Sequence, residues 1–356
     1  MADVPRKRPA QPQRFRPQVA MRRVCLALLP ALAGGVVFFG WRALALCVWT
    51  ILWACATEFY LARQRRDPLT ESALVTGLLL GLSLPPTLPF WMAAVGAVVA
   101  ISFGKEFFGG FGRNVFNPAI VGRAFIFVCF PLAMTRGFVP VYESFGGLAH
   151  WGPQRLVSGL DAVSAATPMW SLRDYGWATP LKDLVTGQIG GFFTAADGTQ
   201  RVLAAGCIGE VSAVLLIVGA LYLLVTGTAS WRLQLGSLGG AVLTVLVLRH
   251  GFGVTAVPPL LWSLSSGALL YGCFFMVTDP VSAPKDKTTQ LLYGALIGAL
   301  LIFLRWKAVF SGALGFAILL GNTLGPSLEM LVKRRQGAVR RSARPADAAA
   351  AGGSAP

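Results

Sequence analysis

The feature that most constrains this chain is a series of apolar stretches that recur along nearly its whole length. Each is about 17–25 residues long, which is the length that spans a bilayer as an α-helix. The 356 residues are 55% hydrophobic and only 13% charged, whereas soluble domains have roughly 25% charged residues. The sequence therefore predicts an all-α, polytopic membrane protein, and it argues against a set of soluble domains.

About ten spans are predicted, with a tail at each end and one long loop at about 135–203. The predicted spans are 23–40, 42–61, 71–87, 90–107, 118–134, 204–226, 233–249, 256–277, 289–304 and 308–331. Residues 1–21 are expected to be a disordered N-terminal tail because they are rich in Pro, Arg and Gln. Residues 22–332 form the predicted membrane domain, and residues 333–356 a disordered basic tail.

Lysine and arginine residues are divided unevenly between the two sides of the predicted membrane. With the N-terminus in the cytoplasm, 21 of the 31 fall in cytoplasmic tails and loops, and 9 fall on the other side. Positive residues accumulate in cytoplasmic loops. Both termini are therefore expected in the cytoplasm, and the long loop outside it. The net charge of +16 is read as this topology signal, and no nucleic-acid partner is predicted.

The cysteine and histidine content does not predict a metal site. The six cysteines lie in or beside apolar segments and form no C-x-x-C pair. Small, buried core residues are the favoured interpretation of such cysteines. His150 and His250 are the only histidines and are far apart in sequence. Neither haem nor zinc is expected.

Two segments interrupt the apolar pattern with glycine, proline and polar residues. They are FGKEFFGGFGRNVFNPAIVGRAF, over 103–125, and FFMVTDPVSAPKD, over 274–286. Non-helical backbone survives at membrane depth only where protein buries it or where it lines a cavity. A pair of interrupted segments also suggests two repeats around a central site, and we treat this repeat architecture as an expectation.

The first interrupted segment contains the residues best suited to bind a flat heterocycle. Gly109, Gly110 and Gly112 allow positive φ and expose backbone N–H groups. Asn114 and Asn117 are three residues apart, so their amides share one face of a helical turn. Those amides both donate and accept, as the edge of a heterocycle requires. The alternative is a tight turn whose asparagines cap helix ends.

Four acidic residues lie in or at the ends of apolar segments: Glu106, Glu210, Asp279 and Glu329. Acids inside a membrane are costly and usually functional, so they are candidates for an ion path. Simpler alternatives stay open. Glu106 adjoins Lys105 and could form a local ion pair, while Asp279 could cap a helix.

The long loop contains an unusual small-residue turn, LDAVSAATPMW, over 160–170. Asp161 and Ser164 precede Thr167, and no bulky neighbour shields the Thr167 hydroxyl. A serine- or threonine-based hydrolase would need a base, but His150 is the only histidine of the loop and no G-x-S-x-G surrounds Thr167. The residues leave two alternatives, a plain turn and an attachment point for a modification.

Five separated segments resemble one known family. They are GKEFFGGFGRNVFNPAIVGRAF, DAVSAATP, GCIGEVS, TASWR and FFMVTDPVSAP…LLYGALIGALLIFLR, in this order within about residues 70–330. Together they resemble the NqrB subunit of the sodium-translocating NADH:quinone reductase and its relative, the RnfD subunit of the Rnf ferredoxin:NAD oxidoreductase complex. Five matches in the right order are far more specific than any one of them.

The resemblance implies two flavin cofactors. In this family the hydroxyl of an S-x-A-T motif bears FMN through a phosphoester, and the matching residue is Thr167. The FMN surroundings would be Asp161, Ser164, Ala166 and Pro168. Asn114 and Asn117, with Gly112, match the segment associated with a second, non-covalent riboflavin. Ala165 stands where the family motif has glycine.

The resemblance also implies a function. The chain would be a membrane subunit of an ion-translocating (Na⁺ or H⁺) redox complex that carries electrons through FMN and riboflavin towards quinone. The alternative is the RnfD subunit of an Rnf-type ferredoxin:NAD oxidoreductase. Implied partners are a periplasmic FMN-bearing subunit, other membrane subunits, quinone and a flavin transferase. The implied location is a bacterial inner membrane, with the flavin-bearing loop in the periplasm.

Two other functional classes compete with this interpretation. An ion transporter without redox chemistry also has many spans, broken helices and membrane acids. A structural subunit without cofactor is compatible with Ala165. Covalent flavin on Thr167 would distinguish a redox subunit from these two classes, because a channel has no use for it. No G-x-G-x-x-G follows a strand and opens a helix, so NADH oxidation is expected on another subunit.

Overall fold

The computed structural model describes residues 15–153, 166–308 and 313–351, with side chains described as far as residue 337. These parts of the chain form an α-helical bundle with two short pieces of β-sheet. In chain order the helices are α1 (Val19–Phe39), α2 (Trp41–Arg65), α3 (Ser72–Leu82), α4 (Phe90–Gly104), α5 (Pro118–Cys129), α6 (Pro131–Arg136), α7 (Pro168–Tyr175), α8 (Leu181–Thr186), α9 (Ala213–Val225), α10 (Trp231–Leu246), α11 (Leu260–Ser265), α12 (Leu269–Tyr271), α13 (Lys287–Lys307) and α14 (Ala313–Ala351).

Six helices in the described ranges are long and apolar enough to cross a membrane. They cover Val19–Phe39, Trp41–Arg65, Phe90–Phe108, Trp231–Gly251, Lys287–Lys307 and Ala313–Gly337. Three shorter apolar helices, α3, α5 and α9, fall within other predicted spans. The predicted span 256–277 is broken into α11, α12 and a π-helical turn. A multi-span helical protein is thus confirmed, while the number ten stays a prediction.

Both predicted tails contain ordered structure. Strand β1 (Phe15–Arg16) pairs in parallel with β2 (Leu69–Thr70), and the Gln18 amide donates to Glu71 Oε2 over 2.8 Å. These contacts lie inside the range 1–21, and the predicted division into two tails and a membrane domain stays a prediction. Helix α14 continues to Ala351, through most of the second predicted tail. Alanine and arginine, which are abundant there, are strong helix formers.

Helices α10 and α13 pack through two matching glycine motifs. Gly236 and Gly240 lie against the backbone of Leu291 and Ala295, and a Cβ atom at either glycine would overlap that backbone. Two glycines on α13, four residues apart, face α10 in the same way. Small residues four apart allow helix backbones in a membrane to approach closely. This pairing fixes one wall of the bundle.

The two interrupted segments meet inside the bundle at Asn117. Its Nδ2 donates to the Met276 carbonyl over 3.1 Å, and its Oδ1 accepts from the Ala119 amide over 3.0 Å as the N-cap of α5. Its backbone N–H donates to Asn322 Oδ1 over 3.3 Å. Asn322 in turn donates to the Tyr293 hydroxyl over 2.7 Å. One buried polar cluster therefore joins α5, α13, α14 and the broken helix before residue 277.

The long loop is folded between residues 166 and 203. It contains α7, α8 and an antiparallel hairpin of β3 (Phe192–Thr194) and β4 (Gln200–Val202). The Asp197–Gly198 turn closes this hairpin, with Gly198 at φ 80° and Asp197 accepting from the Thr199 amide. The Trp262 indole donates to the Thr179 carbonyl over 2.9 Å and fastens the loop to α11. Its position outside the cytoplasm stays a prediction.

The Asn117 cluster leads to a stability prediction. Asn117→Ala removes the α5 cap, worth about 1 kcal/mol, and leaves the buried Met276 carbonyl unpaired, at about 1–3 kcal/mol. We expect the unfolding midpoint of the protein in detergent to fall by several degrees at a fixed heating rate. Asn114→Ala is the matched control, because Asn114 donates only to the nearby Phe116 carbonyl. Equal midpoints for the two variants would contradict the cluster's role.

Candidate functional site

Thr167 stands where the long loop turns into α7. Ala166 before it pairs with the end of the hairpin, since its amide donates to the Val202 carbonyl and its carbonyl accepts from the Ala204 amide, both over 3.0 Å. Pro168 after it occupies the first position of α7, which suits its fixed φ. Thr167 is the N-cap residue, but its hydroxyl does not cap the helix. The backbone is thus held on both sides, while the hydroxyl is left without a role in capping the helix.

A cavity of about 680 Å³, counted with its open mouth, opens beside Thr167. We call it the Thr167 cavity. Its lining includes Thr167, Pro168, Arg123, Glu210 and Arg305. The Thr167 side chain is only 7% exposed, and its hydroxyl has no hydrogen-bond partner within the described ranges. A threonine hydroxyl beside cationic side chains suits a phosphoester, so the residues present fit a flavin phosphate on this hydroxyl.

The other residues predicted around Thr167 have different outcomes. Ala166 is buried and bridges to Leu203, so it shapes the turn and does not line the cavity. Asp161 and Ser164, like Ala165, lie outside the described residues. Their predicted role near the flavin stays a prediction.

The glycine-rich segment adopts the backbone that its sequence predicts. Gly109, Gly110 and Gly112 have φ of 98°, 90° and 90°, which only glycine adopts easily. A Cβ atom at Gly112 would meet nothing within 4 Å, and Gly112 does not line a cavity with the asparagines. Its contribution is therefore to turn the chain.

Asn114 and Asn117 line one cavity of about 700 Å³, counted with its open mouth, which we call the asparagine cavity. Asn117 has both ends of its amide occupied by protein, so the predicted alternative of a helix cap is correct for it. Asn114 differs. Its Nδ2 donates to the Phe116 carbonyl over 3.2 Å, and no described residue donates to its Oδ1. Asn114 thus presents an acceptor to the cavity, whose lining also includes the rings of Phe111 and Phe275.

A network of charges runs from the protein surface to the asparagine cavity. Asp67 pairs with Arg65 over 3.2 Å, and Arg65 pairs with Glu106. Lys105, which lines the cavity, pairs with Glu58 over 2.7 Å. Lys105 and Glu58 are only about 2% exposed. Glu106 is therefore ion-paired, but chiefly with Arg65, since its carboxylate lies 4.0 Å from the Lys105 ammonium.

The other candidate acids are dispersed. Asp279 lines the asparagine cavity and accepts from Ser282 and from the Val281 amide, as a turn-capping acid does. Burial raises the pKa of the Asp279 carboxyl, and those hydrogen bonds counter part of the rise. Glu210 lines the Thr167 cavity, where its carboxylate accepts from the Cys207 amide over 2.8 Å.

Glu329 on α14 pairs with Lys333 over 2.8 Å in a partly exposed i,i+4 pair and lines neither cavity. The described residues hold no cluster of three or more potential metal ligands. The four predicted ion-path acids are therefore not brought together. Asp279 is the one that lines the asparagine cavity.

The two cavities are neighbours along two segments. On α5, Pro118 lines the asparagine cavity and Arg123 lines the Thr167 cavity. Five residues of α-helix rise about 7.5 Å. In the broken helix, Ala268 lines the Thr167 cavity and Phe275 the asparagine cavity. The two cavities are thus separated by about one to two helical turns.

Sequence reasoning missed the charged residues that shape both cavities. Arg123 was counted only in the topology, Arg305 was assigned to a loop, and Glu58 was not considered. The sequence did contain a pattern that could have identified them, because each of the three lies in a helix that is otherwise largely apolar. Charges at such depth are costly and normally have a partner or a ligand.

Comparisons with known proteins place these features in one family. Residues 6–337 match the model of the NQR2, RnfD, RnfE family. The D subunit of the proton-translocating ferredoxin:NAD(+) oxidoreductase complex of Clostridium ljungdahlii is 35% identical, over 87% of this chain and 88% of the relative. The D subunit of the ion-translocating oxidoreductase complex of Stutzerimonas stutzeri is also 35% identical, over 88% and 90%. The D subunit of the Na(+)-translocating ferredoxin:NAD(+) oxidoreductase complex of Acetobacterium woodii is 34% identical, over 88% and 89%.

The buried Glu58–Lys105 pair gives a prediction that does not depend on any cofactor. Glu58→Gln leaves the Lys105 ammonium buried without its nearest carboxylate, and breaking such a pair costs about 3–5 kcal/mol. We expect a marked fall in the unfolding midpoint, and a smaller fall for Glu58→Gln combined with Lys105→Met.

Glu329→Gln is the control, because it breaks a surface pair worth at most about 1 kcal/mol. The interpretation would be wrong if the single and double variants at the buried pair unfolded at the same temperature.

Proposed function

The chain belongs to the NQR2, RnfD, RnfE family, and from this membership we propose that it is the flavin-bearing membrane subunit of an Rnf-type ion-translocating oxidoreductase complex. Both the NADH:quinone reductase and the Rnf interpretations fall within this family. The three relatives are D subunits, two of them named for ferredoxin:NAD(+) oxidoreductases, and they favour the Rnf type. Their names include both proton and sodium translocation, so either ion is compatible with the proposal.

The proposal is carried by the Thr167 hydroxyl, which lines a cavity with two arginines and has no hydrogen-bond partner among the described residues. Thr167 would bear FMN through a phosphoester. Attachment would form a bond from Thr167 Oγ to the flavin phosphorus and break the bond from that phosphorus to a nucleotide leaving group. The hydroxyl proton would pass to a base of the flavin transferase. The rigid backbone at Ala166 and Pro168 would then fix the attachment point.

The asparagine cavity would hold the second, non-covalent flavin. Asn114 Oδ1 would accept a hydrogen bond from a ring N–H, while Phe111 and Phe275 would contact the ring faces. Asn117 would act by holding the cavity wall together and not by direct contact. When bound, the two flavins supply the one- and two-electron chemistry that side chains lack.

The setting and partners follow from the same proposal. The chain would lie in a bacterial inner membrane with both termini in the cytoplasm and the Thr167 loop in the periplasm. It would receive electrons from a periplasmic FMN-bearing subunit and work with other membrane subunits, while another subunit handles NADH. Quinone is the acceptor if the complex is of the quinone-reductase type.

Covalent flavin is the first prediction of this proposal. The protein, co-expressed with a flavin transferase, should give a fluorescent band in a denaturing gel, and Thr167→Ala should abolish it. Thr167→Ser keeps a hydroxyl and should keep some fluorescence. Thr179→Ala changes a buried threonine of the same loop outside the cavity and should behave like the wild type. A dark wild-type band beside a working transferase control would refute the covalent flavin.

A second prediction concerns ion coupling. Asp279 lies at the asparagine cavity, and its raised pKa lets it take up a proton more readily than an ordinary aspartate. Uptake of a cation offsets negative charge that is gained in a low-dielectric cavity. In the purified complex in liposomes, Asp279→Asn should therefore lower the number of ions moved per electron. Glu329→Gln should leave this ratio unchanged, and an unchanged ratio in Asp279→Asn would remove Asp279 from the ion path.

A further inference from the structure

The Thr167 cavity is lined by two arginines that lack a carboxylate partner. Arg123 is 9% exposed, and its one described polar contact is from Nη1 to Cys207 Sγ, over 3.4 Å. Arg305 donates to the carbonyls of Ser263 and Ser266 over 3.1 and 3.0 Å. Within the described ranges, neither guanidinium has a carboxylate oxygen within 4.0 Å.

Such an arrangement is costly for an empty cavity. A buried charge is normally paired or hydrogen-bonded to a charged group. Glu210 shares the cavity, but one of its oxygens is used by the Cys207 amide and it forms no ion pair with either arginine. The charged side chains that line the cavity in the described ranges, Arg123, Arg305 and Glu210, therefore sum to one unbalanced positive charge. This part of the lining suits a ligand with one negative charge.

We propose that Arg123 and Arg305 hold the phosphate of the flavin on Thr167, an inference that rests on the proposed function. A phosphodiester carries one negative charge, which would neutralise the cavity. The guanidinium group donates through five N–H groups in a planar fork that matches phosphate oxygens. Arg123 and Arg305 approach from α5 and α13, so they reach the phosphate from two separate helices. They are positioning residues for the attached cofactor.

The charge of the lining is different at the asparagine cavity, where the cation is paired within the protein. Lys105, the one cation in its described lining, pairs with Glu58 over 2.7 Å and donates to Thr70 over 2.8 Å and to Ser72 over 2.7 Å. Its charge is thus balanced within the protein, and Asp279 adds a carboxylate to the lining. The charges there disfavour a phosphate, and they are compatible with an unphosphorylated flavin. The two cavities select their flavins by charge.

The first test uses inorganic phosphate and the flavin-free protein, prepared without the transferase. At constant ionic strength, phosphate should raise the unfolding midpoint of the wild type more than chloride does. Arg123→Gln and Arg305→Gln should weaken this response roughly tenfold or more in phosphate concentration, since each loses a charge-assisted contact. Arg249→Gln is the matched control. Arg249 is half-buried and donates to a backbone carbonyl, that of Val257, but lies outside the cavity.

The second test measures flavin loading by in-gel fluorescence per mole of protein. Loading should fall in Arg123→Gln and Arg305→Gln and recover in part in the lysine variants, which keep the charge. Glu210→Gln combined with Arg305→Gln restores the net positive charge, so it should load better than Arg305→Gln alone. A purely structural role would not predict that recovery.

The outcomes separate the inference from the proposed function. Phosphate response and loading equal to those of Arg249→Gln in both single variants would overturn the inference and leave covalent flavin intact. A wild type that never acquires flavin would overturn the proposed function. If the glutamine variants do not fold, the lysine variants decide. A phosphate response and flavin loading that are wholly or partly retained in both support the inference, and a phosphate response no larger than the chloride response together with absent loading argues against it.

Discussion

The bundle depends on the buried amide of Asn117, because that side chain satisfies the backbone at both helix interruptions. A broken helix exposes unpaired N–H and C=O groups, and the hydrocarbon core offers them no partners. Asn117 caps the start of α5 and donates to the carbonyl of Met276, 159 residues away in sequence. Each break is therefore stable only in contact with the other. The two chain segments diverge from the contact between Asn117 and Met276, and the asparagine cavity lies beside this contact.

Charge is handled differently at the two cavities. The cations near the asparagine cavity form a chain of pairs that ends at Lys105 and Glu58, so their charge is balanced within the protein. Those at the Thr167 cavity, Arg123 and Arg305, bond to a thiol and to backbone carbonyls, and Glu210, the one carboxylate in the described lining, leaves one positive charge unbalanced. The cations are charge-balanced at one cavity and not at the other. A general preference for burying arginine in an apolar bundle does not explain this difference. It points to different ligands.

Local pattern in the sequence was sufficient for the helical membrane class, for both interruptions and for the Thr167 turn. These depend on length, hydropathy, glycine and proline, which act over a few residues. The roles of the two asparagines were not separable from sequence, because the partner of Asn117 lies far along the chain. The shared cavity of Arg123 and Arg305 was missed for a related reason. Counting the arginines of each loop gives the membrane topology but says nothing about the surroundings of each side chain. Only the folded chain shows that Arg123 and Arg305 line one cavity.

Helix α5 joins the chemistry of the two cavities. Asn117 at its start and Arg123 six residues later are about 9 Å apart along the helix axis. At an effective dielectric constant of about 20, a negative charge gained near Asn117 interacts with the Arg123 guanidinium by about 2 kcal/mol. Such a charge would also lie near Asp279, which repels it unless a cation is taken up there. If the proposed flavins occupy the two cavities, an electron that arrives in one of them would change the electrostatics of the other and the affinity for a cation, which is the physical minimum for coupling electrons to ions.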